Sequence, residues 1–338
     1  MDFFNKLKKP VKILAPMVNN SGLEYRKLAR KYGADICYTE MVHAEVFLRS
    51  RSNPQHNHWY STDSLDRPLV IQFCGNSPSV LLEAAKKVQD FCDAIDINLG
   101  CPQPIARKGH YGAYLQDEWE LIHDIVNTLS SNLKIPVFCK IRIFSDSNRT
   151  VAYAKMIENA GCSLLVVHGR TREQIGTRTG LADWDQIRQI RDALEIPVIA
   201  NGNIIHPHDI HACIEATGCA GVMVAETHLY QPGIFAGMTL DCLEITKEYL
   251  LLCTSKTQTV EIKSHVFKIL NPVLKHLPDF RPILNQAQKP ADFLKVLSMI
   301  RTELGNNRIE TEPYIRVKSQ NKNHMNQNVN SSLSDRDN

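Results

Sequence analysis

Cys101 stands in the string Asn98-Leu99-Gly100-Cys101-Pro102, between a glycine and a proline and directly after a short apolar run. A thiol with an ordinary pKa near ~8.5 is mostly protonated at neutral pH, so a cysteine held on a constrained loop can deliver a proton. Cys37, Cys74, Cys92, Cys139 and Cys162 instead lie in or beside apolar runs and read as small buried hydrophobes. The ten cysteines form no CxxC pair and no Cys/His cluster at zinc-ligand spacing, so neither a disulfide framework nor a metal site is expected. Other polar groups also punctuate apolar stretches. Pro16, Met17 and Val18 follow the first, Gln72 lies within the third, Lys140 and Arg142 within and after the fifth, and His168 after the sixth. Asn201-Gly202-Asn203 follows the seventh and Ala225-Glu226 the eighth.

The elements that carry these residues are legible as alternation. Ile13–Ala15, Ile36–Tyr38, Leu69–Phe73, Ala94–Ile97, Val137–Ile141, Leu164–Val167, Val198–Ala200 and Gly221–Val224 are short apolar runs separated by helix-length amphipathic stretches. Such runs indicate parallel strands with helical crossovers. Start and stop residues agree: Ser21 precedes a stretch ending at Gly33, Pro78 and Pro207 open two others, and Asp146 or Ser147 opens the one ending at Gly161. Eight strand–helix units over residues 1–239 predict a (β/α)8 TIM barrel, whose active site lies at the C-terminal ends of the strands. The stretch from Arg49 to Arg67 reads as a loop without a core strand. Residues 240–305 show only helical period and predict a small all-helical C-terminal domain, with Lys268 and Lys275 on one outer face. Residues 306–338, rich in Asn and Ser, predict a disordered tail.

A barrel core has no use for Gln72, Asn98, Lys140 and His168 unless they bond to something, and their convergence on one mouth favours a ligand. Asn201-Gly202-Asn203 lies where this fold binds phosphate. Lys140 is a cation fixed on a strand, and Gln72 can donate and accept at the edge of a pyrimidine-like ring. The combination fits flavin mononucleotide (FMN), although a sugar-phosphate substrate would use many of the same groups.

The strings APMV, VIQFCGN, DINLGCPQPIARKGHYGAYL, CKIR, VHGRTREQ and ANGNI occur in order. Over residues ~10–240 the chain resembles the tRNA-dihydrouridine synthases, and ANGNI followed by VMVAETHLYQPGIF resembles the eukaryotic branch acting at tRNA positions 16 and 17. The resemblance implies an FMN enzyme that reduces the C5=C6 bond of uridine in tRNA with NADPH or NADH. It implies that Pro16, Met17 and Val18 run under the ring system, that Gln72 and Lys140 meet its pyrimidine edge, and that His168 sits near the ribityl–phosphate side. Asn201, Gly202, Asn203, Ala225 and Glu226 would close the phosphate site, and Cys101 would be the proton donor. Many family members carry Gly-Arg where this chain has Ala225-Glu226; backbone N–H groups, Arg170 or Arg172 would then have to meet the phosphate.

Asn98 and Arg142, with Lys140, are candidates to hold the uracil carbonyls. The target base must leave its stack to be reduced, and Lys/Arg contacts to phosphate would offset that cost. The basic charge is concentrated late: residues 254–301 hold eight Lys/Arg against three Asp/Glu. Lys263, His265 and Lys268 there, with Arg107 and Lys108 beside the cysteine loop, are the candidate tRNA contacts. No apolar stretch approaches the ~20 residues of a membrane span, and the N-terminus lacks a signal-peptide core. A soluble, intracellular protein is expected, in the cytoplasm with the nucleus as a second compartment, and no stable protein partner is inferred. Two rival readings remain: a flavin barrel acting on a free pyrimidine, as dihydroorotate dehydrogenases do, and a non-catalytic RNA-binding barrel.

Overall fold

The computed structural model describes residues 1–50 and 61–314. Eight strands close into a barrel in sequence order, each parallel to both neighbours. They are β1 Val11–Leu14, β2 Ile36–His43, β3 Leu69–Cys74, β4 Ala94–Leu99, β5 Val137–Arg142, β6 Leu164–His168, β7 Val198–Asn201 and β8 Gly221–Val224. The expected (β/α)8 architecture is the observed one, and every apolar run overlaps one strand. The largest difference is in β2, which continues past Tyr38 to His43 with a register shift between Tyr38 and Met41. Periodicity missed this extension because Thr39 and Glu40 are polar yet buried. Thr39 Oγ1 accepts from the Gln72 amide, and Glu40 Oε2 accepts from the Asn19 amide at 2.8 Å.

The crossover helices run in order. Helix α1 (Asp2–Asn5) places Phe4 under the barrel floor, and α2 is Leu23–Lys31, α3 Ala44–Arg49, α4 Pro78–Val88, α5 Pro104–Gly109 and α6 Trp119–Asn132. Then come α7 Ser147–Asn159, α8 Trp184–Ala193, α9 Pro207–Thr217 and α10 Glu226–Tyr230. Their starts obey local chemistry: Asp146 caps α7 by accepting from the Asn148 and Arg149 amides, and Pro207 occupies the first turn of α9.

Strands covered on both faces need apolar residues on both. Outward residues such as Ile95, Ile97, Cys139 and Ile141 pack against the helices. Inward residues Val11, Ile13, Val70, Ala94, Phe138, Leu164, Ile199 and Met223 fill the lower barrel. The same inward parity, carried upward, brings Gln72, Asp96, Asn98, Lys140, Arg142, His168 and Asn201 into the upper barrel. The fold therefore separates an apolar floor from a polar mouth.

Residues after β8 form α11 Cys242–Leu252, α12 Thr259–Ile269, α13 Asn271–His276, α14 Phe280–Gln286 and α15 Pro290–Leu304. They share a core of Leu243, Ile262, Val266, Leu270, Val273, Leu284, Phe293 and Ile300. Two expectations are corrected. Lys268 and Lys275 do not share a helix face, because the chain breaks at Leu270 before Pro272. The tail does not start at residue 306: the Cys242 and Thr311 amides donate to the Ile309 and Leu240 carbonyls, and Tyr314 stacks on Tyr230 at 4.8 Å. Asn and Ser content hid this short pairing; residues 315–338 lie outside the described ones. So do residues 51–60 of the loop expected between Arg49 and Arg67. Among the described residues no helix is long and apolar enough to cross a membrane.

The last part of that loop is anchored by a buried ion pair. Asp66 Oδ2 accepts from Arg26 Nη2 at 2.6 Å and from Nε at 2.9 Å, while Arg30 Nη2 donates to Oδ1 at 3.1 Å. Both Arg26 and Asp66 are almost wholly buried. Removing one member leaves an unpaired buried charge. Asp66→Ala should therefore destabilise the protein by about 3–5 kcal/mol, read as a lower urea midpoint; an unchanged midpoint would contradict the anchoring role.

Candidate active site

The polar mouth is organised around the loop that follows β4. Asn98 points inward, 8% exposed, and its Oδ1 accepts from the Cys101 amide at 2.8 Å and the Gly100 amide at 3.1 Å. From the other side the Ala113 amide donates to the Cys101 carbonyl at 3.1 Å. Gly112, at φ +66°, closes the contact: a Cβ there would lie 2.8 Å from the Cys101 carbonyl oxygen. The cysteine is thus clamped through its backbone while its side chain stays partly exposed. Burial raises the thiol's pKa; the Gln103 amide, Arg142 and Lys140 pull the other way without reversing it. At neutral pH Cys101 is a protonated thiol, as an acid must be.

Beside it, on β5, Lys140 Nζ donates to Asn201 Oδ1 at 3.0 Å. Burial, then the neighbouring Arg142 charge, lower the Lys140 pKa to about 8, against the raising effect of Asp96 and Cys101. Arg142 is spent on the surrounding loops: its Nε donates to the Gly100 carbonyl at 2.9 Å and its Nη1 to the Thr171 carbonyl at 2.8 Å. It buttresses the cysteine loop, and its own pKa falls to about 10, mainly through burial.

At the far side of the mouth, Gly202 sits at φ +114°, where a Cβ would meet Ala182 at 2.7 Å and the His168 ring at 3.2 Å. Asn203, also at positive φ, accepts at Oδ1 from Arg170 Nη2 and the Ala182 amide, both at 2.9 Å. Arg170 Nη1 lies 2.9 Å from His168 Nε2. Burial and the nearby Lys140, Arg142 and Arg170 charges hold His168 well below the usual histidine range, so its ring is neutral and accepts from the guanidinium. Arg172 turns away, pairing with Asp117 at 2.7 Å and Glu173 at 2.9 Å. Of the two arginines weighed against Ala225-Glu226, Arg170 is the one beside the glycine cradle.

Several expected residues are placed differently. Gln72 does not face the open mouth. It has no exposed surface, its Nε2 donates to Asp96 Oδ2 at 2.8 Å, and its Oε1 accepts from Asn98 Nδ2 at 2.9 Å. Gln72 therefore sits under Asn98, where it supports that side chain from below. His265 is also corrected as a tRNA contact. It is 1% exposed, stacks on Tyr25 at 3.9 Å, and burial keeps it neutral. Lys268 is half-buried and points at the barrel, donating to Asn20 Oδ1 at 2.9 Å, with Glu226 as its electrostatic partner. Ser264 donates to the same oxygen at 2.7 Å. Helix α12 thereby grips the loop Pro16–Asn20, in which Val18 is 55% exposed. Lys263 remains on the outside, donating to the Asn285 carbonyl, and Arg107 and Lys108 are exposed on α5 just past Cys101. Ala225 precedes α10 and Glu226 begins it.

Asp96 was not anticipated. It is wholly buried, and burial pushes its carboxyl up to about 7 although Gln72, Lys140 and Tyr38 all act to lower it. The available signal was its position two residues before Asn98 on the same strand, hence on the same inward face. Among the described residues no group of three or more His, Cys, Asp or Glu could hold a metal ion.

The geometry suits a ring system with an electron-rich edge toward Lys140 and an anionic end toward Gly202 and Arg170, because a desolvated ammonium with unused donors and a cradle too tight for a Cβ are both already in place. A sequence profile described as Dihydrouridine synthase (Dus) matches residues 13–312. The tRNA-dihydrouridine(16/17) synthase [NAD(P)(+)] of Saccharomyces cerevisiae is 50% identical over 297 residues, covering 83% of this chain and 70% of that protein. The Schizosaccharomyces pombe protein of the same name is 46% identical over 324 residues, covering 90% and 80%. A mouse protein named as like them is also 46% identical, over 78% of this chain but 56% of its own length. Among solved structures, histamine dehydrogenase from Rhizobium sp. 4-9 superposes with a TM-score of 0.53 at 11% identity, covering 75% of this chain and 52% of that one, a likeness of fold.

A raised thiol pKa has a direct readout. Alkylation of Cys101 by iodoacetamide, followed by peptide mass spectrometry, should be slow at neutral pH and reach half its maximal rate above the ~8.5 of a free cysteine. A midpoint below 8 would mean that Lys140 and Arg142 make it a thiolate.

Proposed function

We propose, for a chain that belongs to the dihydrouridine synthase family, that it reduces the C5=C6 bond of uridines 16 and 17 in the tRNA D-loop, with FMN as bound cofactor and NADPH or NADH as reductant. The observation that carries this reading is Cys101 clamped through its backbone on the loop after β4, close enough to Lys140 on β5 for the two to interact electrostatically. The names of the 46–50% identical relatives supply the substrate class and the positions.

FMN, when bound, would supply the hydride that reaches C6 of the uracil. Lys140 would hold the ring's pyrimidine edge, and Pro16, Met17 and Val18 would floor the site. Arg170, Gly202 and Asn203, with the Asn201 and Ala225-Glu226 backbone beside them, would take the phosphate. His168, kept neutral, accepts from Arg170 and leaves that guanidinium's charge for the anion. The Cys101 thiol gives its proton to C5, on which negative charge develops, and recovers a proton from solvent. The sum is uridine, NAD(P)H and one proton giving dihydrouridine and NAD(P)+. Asn98 and Arg142 fix the cysteine loop in this scheme and remain the candidates to meet the uracil carbonyls.

The tRNA would be received by residues 240–305 together with the mouth. Arg107 and Lys108 lie beside Cys101 and Lys263 on the outer side of α12, positions that suit phosphate contacts. The uridine has to be extruded to reach the thiol, at a few kcal/mol, and those contacts would offset it. The cytoplasm, with the nucleus as a second compartment, is the proposed location.

Two experiments test the reading. NADPH oxidation under anaerobic conditions should require unmodified tRNA and leave dihydrouridine at positions 16 and 17; equal oxidation with free uracil or orotate would favour the free-pyrimidine alternative. Lys140→Ala should lose flavin on gel filtration or reduce it at least about tenfold more slowly; a fully yellow, fully active variant would remove Lys140 from the site.

A further inference from the structure

The barrel interior contains an unbroken hydrogen-bonded series that ends at the cysteine loop. Tyr38 OH donates to Asp96 Oδ1 at 3.4 Å, and Gln72 Nε2 donates to Asp96 Oδ2 at 2.8 Å. Asn98 Nδ2 donates to Gln72 Oε1 at 2.9 Å, and Asn98 Oδ1 accepts from the Gly100 and Cys101 amides. The direction of this series is forced. The loop presents N–H groups, which only donate, so Asn98 must turn its oxygen toward them and its NH2 toward Gln72. Gln72 must then offer its oxygen to Asn98 and its NH2 to whatever lies below. An acceptor is required at that lower end, in a place without water. Tyr38, Gln72 and Asp96 have no exposed surface.

We propose that Asp96 is a positioning residue for Cys101: it is the terminal acceptor that holds Gln72 and Asn98 in the one amide orientation able to clamp the cysteine loop. The claim deepens the functional reading, since it matters to turnover only if Cys101 is the acid. Its structural half stands apart from that reading. Without an acceptor at position 96, the Gln72 NH2 is left buried and unpaired. Gln72 then rotates or draws in water, Asn98 loses the partner of its NH2, and the loop amides lose a fixed acceptor. A carboxylate buried at this depth is a poor choice for stability alone, because an apolar side chain of similar volume in such a place is often neutral or stabilising.

The test compares Asp96→Leu, which removes the acceptor and keeps the branched shape in a bulkier side chain, with Asp96→Asn, which removes the charge and keeps an acceptor. The readout is the rate of Cys101 alkylation by iodoacetamide in the full-length protein, with and without flavin, resolved by peptide mass spectrometry. We expect at least a tenfold faster rate in Asp96→Leu and a rate within threefold of wild type in Asp96→Asn. In tRNA turnover we expect kcat to fall at least tenfold in Asp96→Leu with KM for tRNA unchanged, and recovery in Asp96→Asn. Should Asp96→Leu fail to fold, Gln72→Met breaks the same series one step higher and should accelerate alkylation to the same degree. When both fold, the double variant should be no faster than either single one, as residues acting in series require. Wild-type alkylation in Asp96→Leu or Gln72→Met would overturn the proposal. So would Asp96→Asn behaving as badly as Asp96→Leu, which would assign the effect to charge at Lys140 instead. If alkylation responds as expected while tRNA turnover is absent from the wild type, the series stands and the functional reading fails.

Discussion

Inside a closed parallel barrel, water cannot satisfy a polar side chain, so every polar group sent inward must be paired with another. That constraint shapes the upper half of this molecule. Asp96, Gln72, Asn98, Lys140, Asn201 and His168 occupy inward positions on four adjacent strands and on the neighbouring β3. Each is bonded to a neighbour: one series ends at the Cys101 loop, Lys140 bonds to Asn201, whose Nδ2 donates to the Met223 carbonyl, and His168 meets Arg170 beside the Gly202 cradle. The polar network does not compete with the site for donors and acceptors. It leaves a thiol and an ammonium with capacity to spare.

Two carriers of charge illustrate how the environment assigns roles. Lys140 and Cys101 lie close enough to influence each other, and an ammonium beside a thiol commonly yields a thiolate. Here burial acts on both in the same direction, toward the neutral form, raising the thiol's pKa and lowering that of the amine. The outcome is a cysteine that keeps its proton. The same low-dielectric surroundings push Asp96 upward and His168 downward. Desolvation therefore sets the protonation states across the mouth, and the individual charge partners modify them.

The fold was legible because the strands of such a barrel are buried on both faces and stand out as apolar runs; β4 and β5 were readable nearly to their ends. The placement of Cys101, Lys140, His168 and Gly202 at one end of the barrel was legible, because there strand ends meet loops and polar residue types stand out from the apolar runs. What stayed hidden was pairing in three dimensions. Nothing in the order of residues says that Gln72 is consumed by Asp96 and Asn98, or that Arg142 is consumed by loop carbonyls. The basic late segment misled in the same way. His265 lies in a run of positive charge, yet it faces Tyr25 and Tyr249 in the interface between α12 and the barrel. Helical period located α12 without revealing that α10 and α2 of the barrel cover one of its faces. The pairing of Thr311 with Leu240 was equally invisible, since it depends on backbone groups and not on composition.

The central claim is that the Cys101 thiol gives up the proton required at C5. The most direct test is single turnover in Cys101→Ala: flavin is first reduced anaerobically by NADPH, then mixed with unmodified tRNA, and its reoxidation is followed by absorbance. The account predicts reduction by NADPH at the wild-type rate and reoxidation by tRNA slowed at least ~10²-fold, the usual loss on removing a positioned acid. Reoxidation by tRNA at the wild-type rate, with dihydrouridine formed, would contradict it.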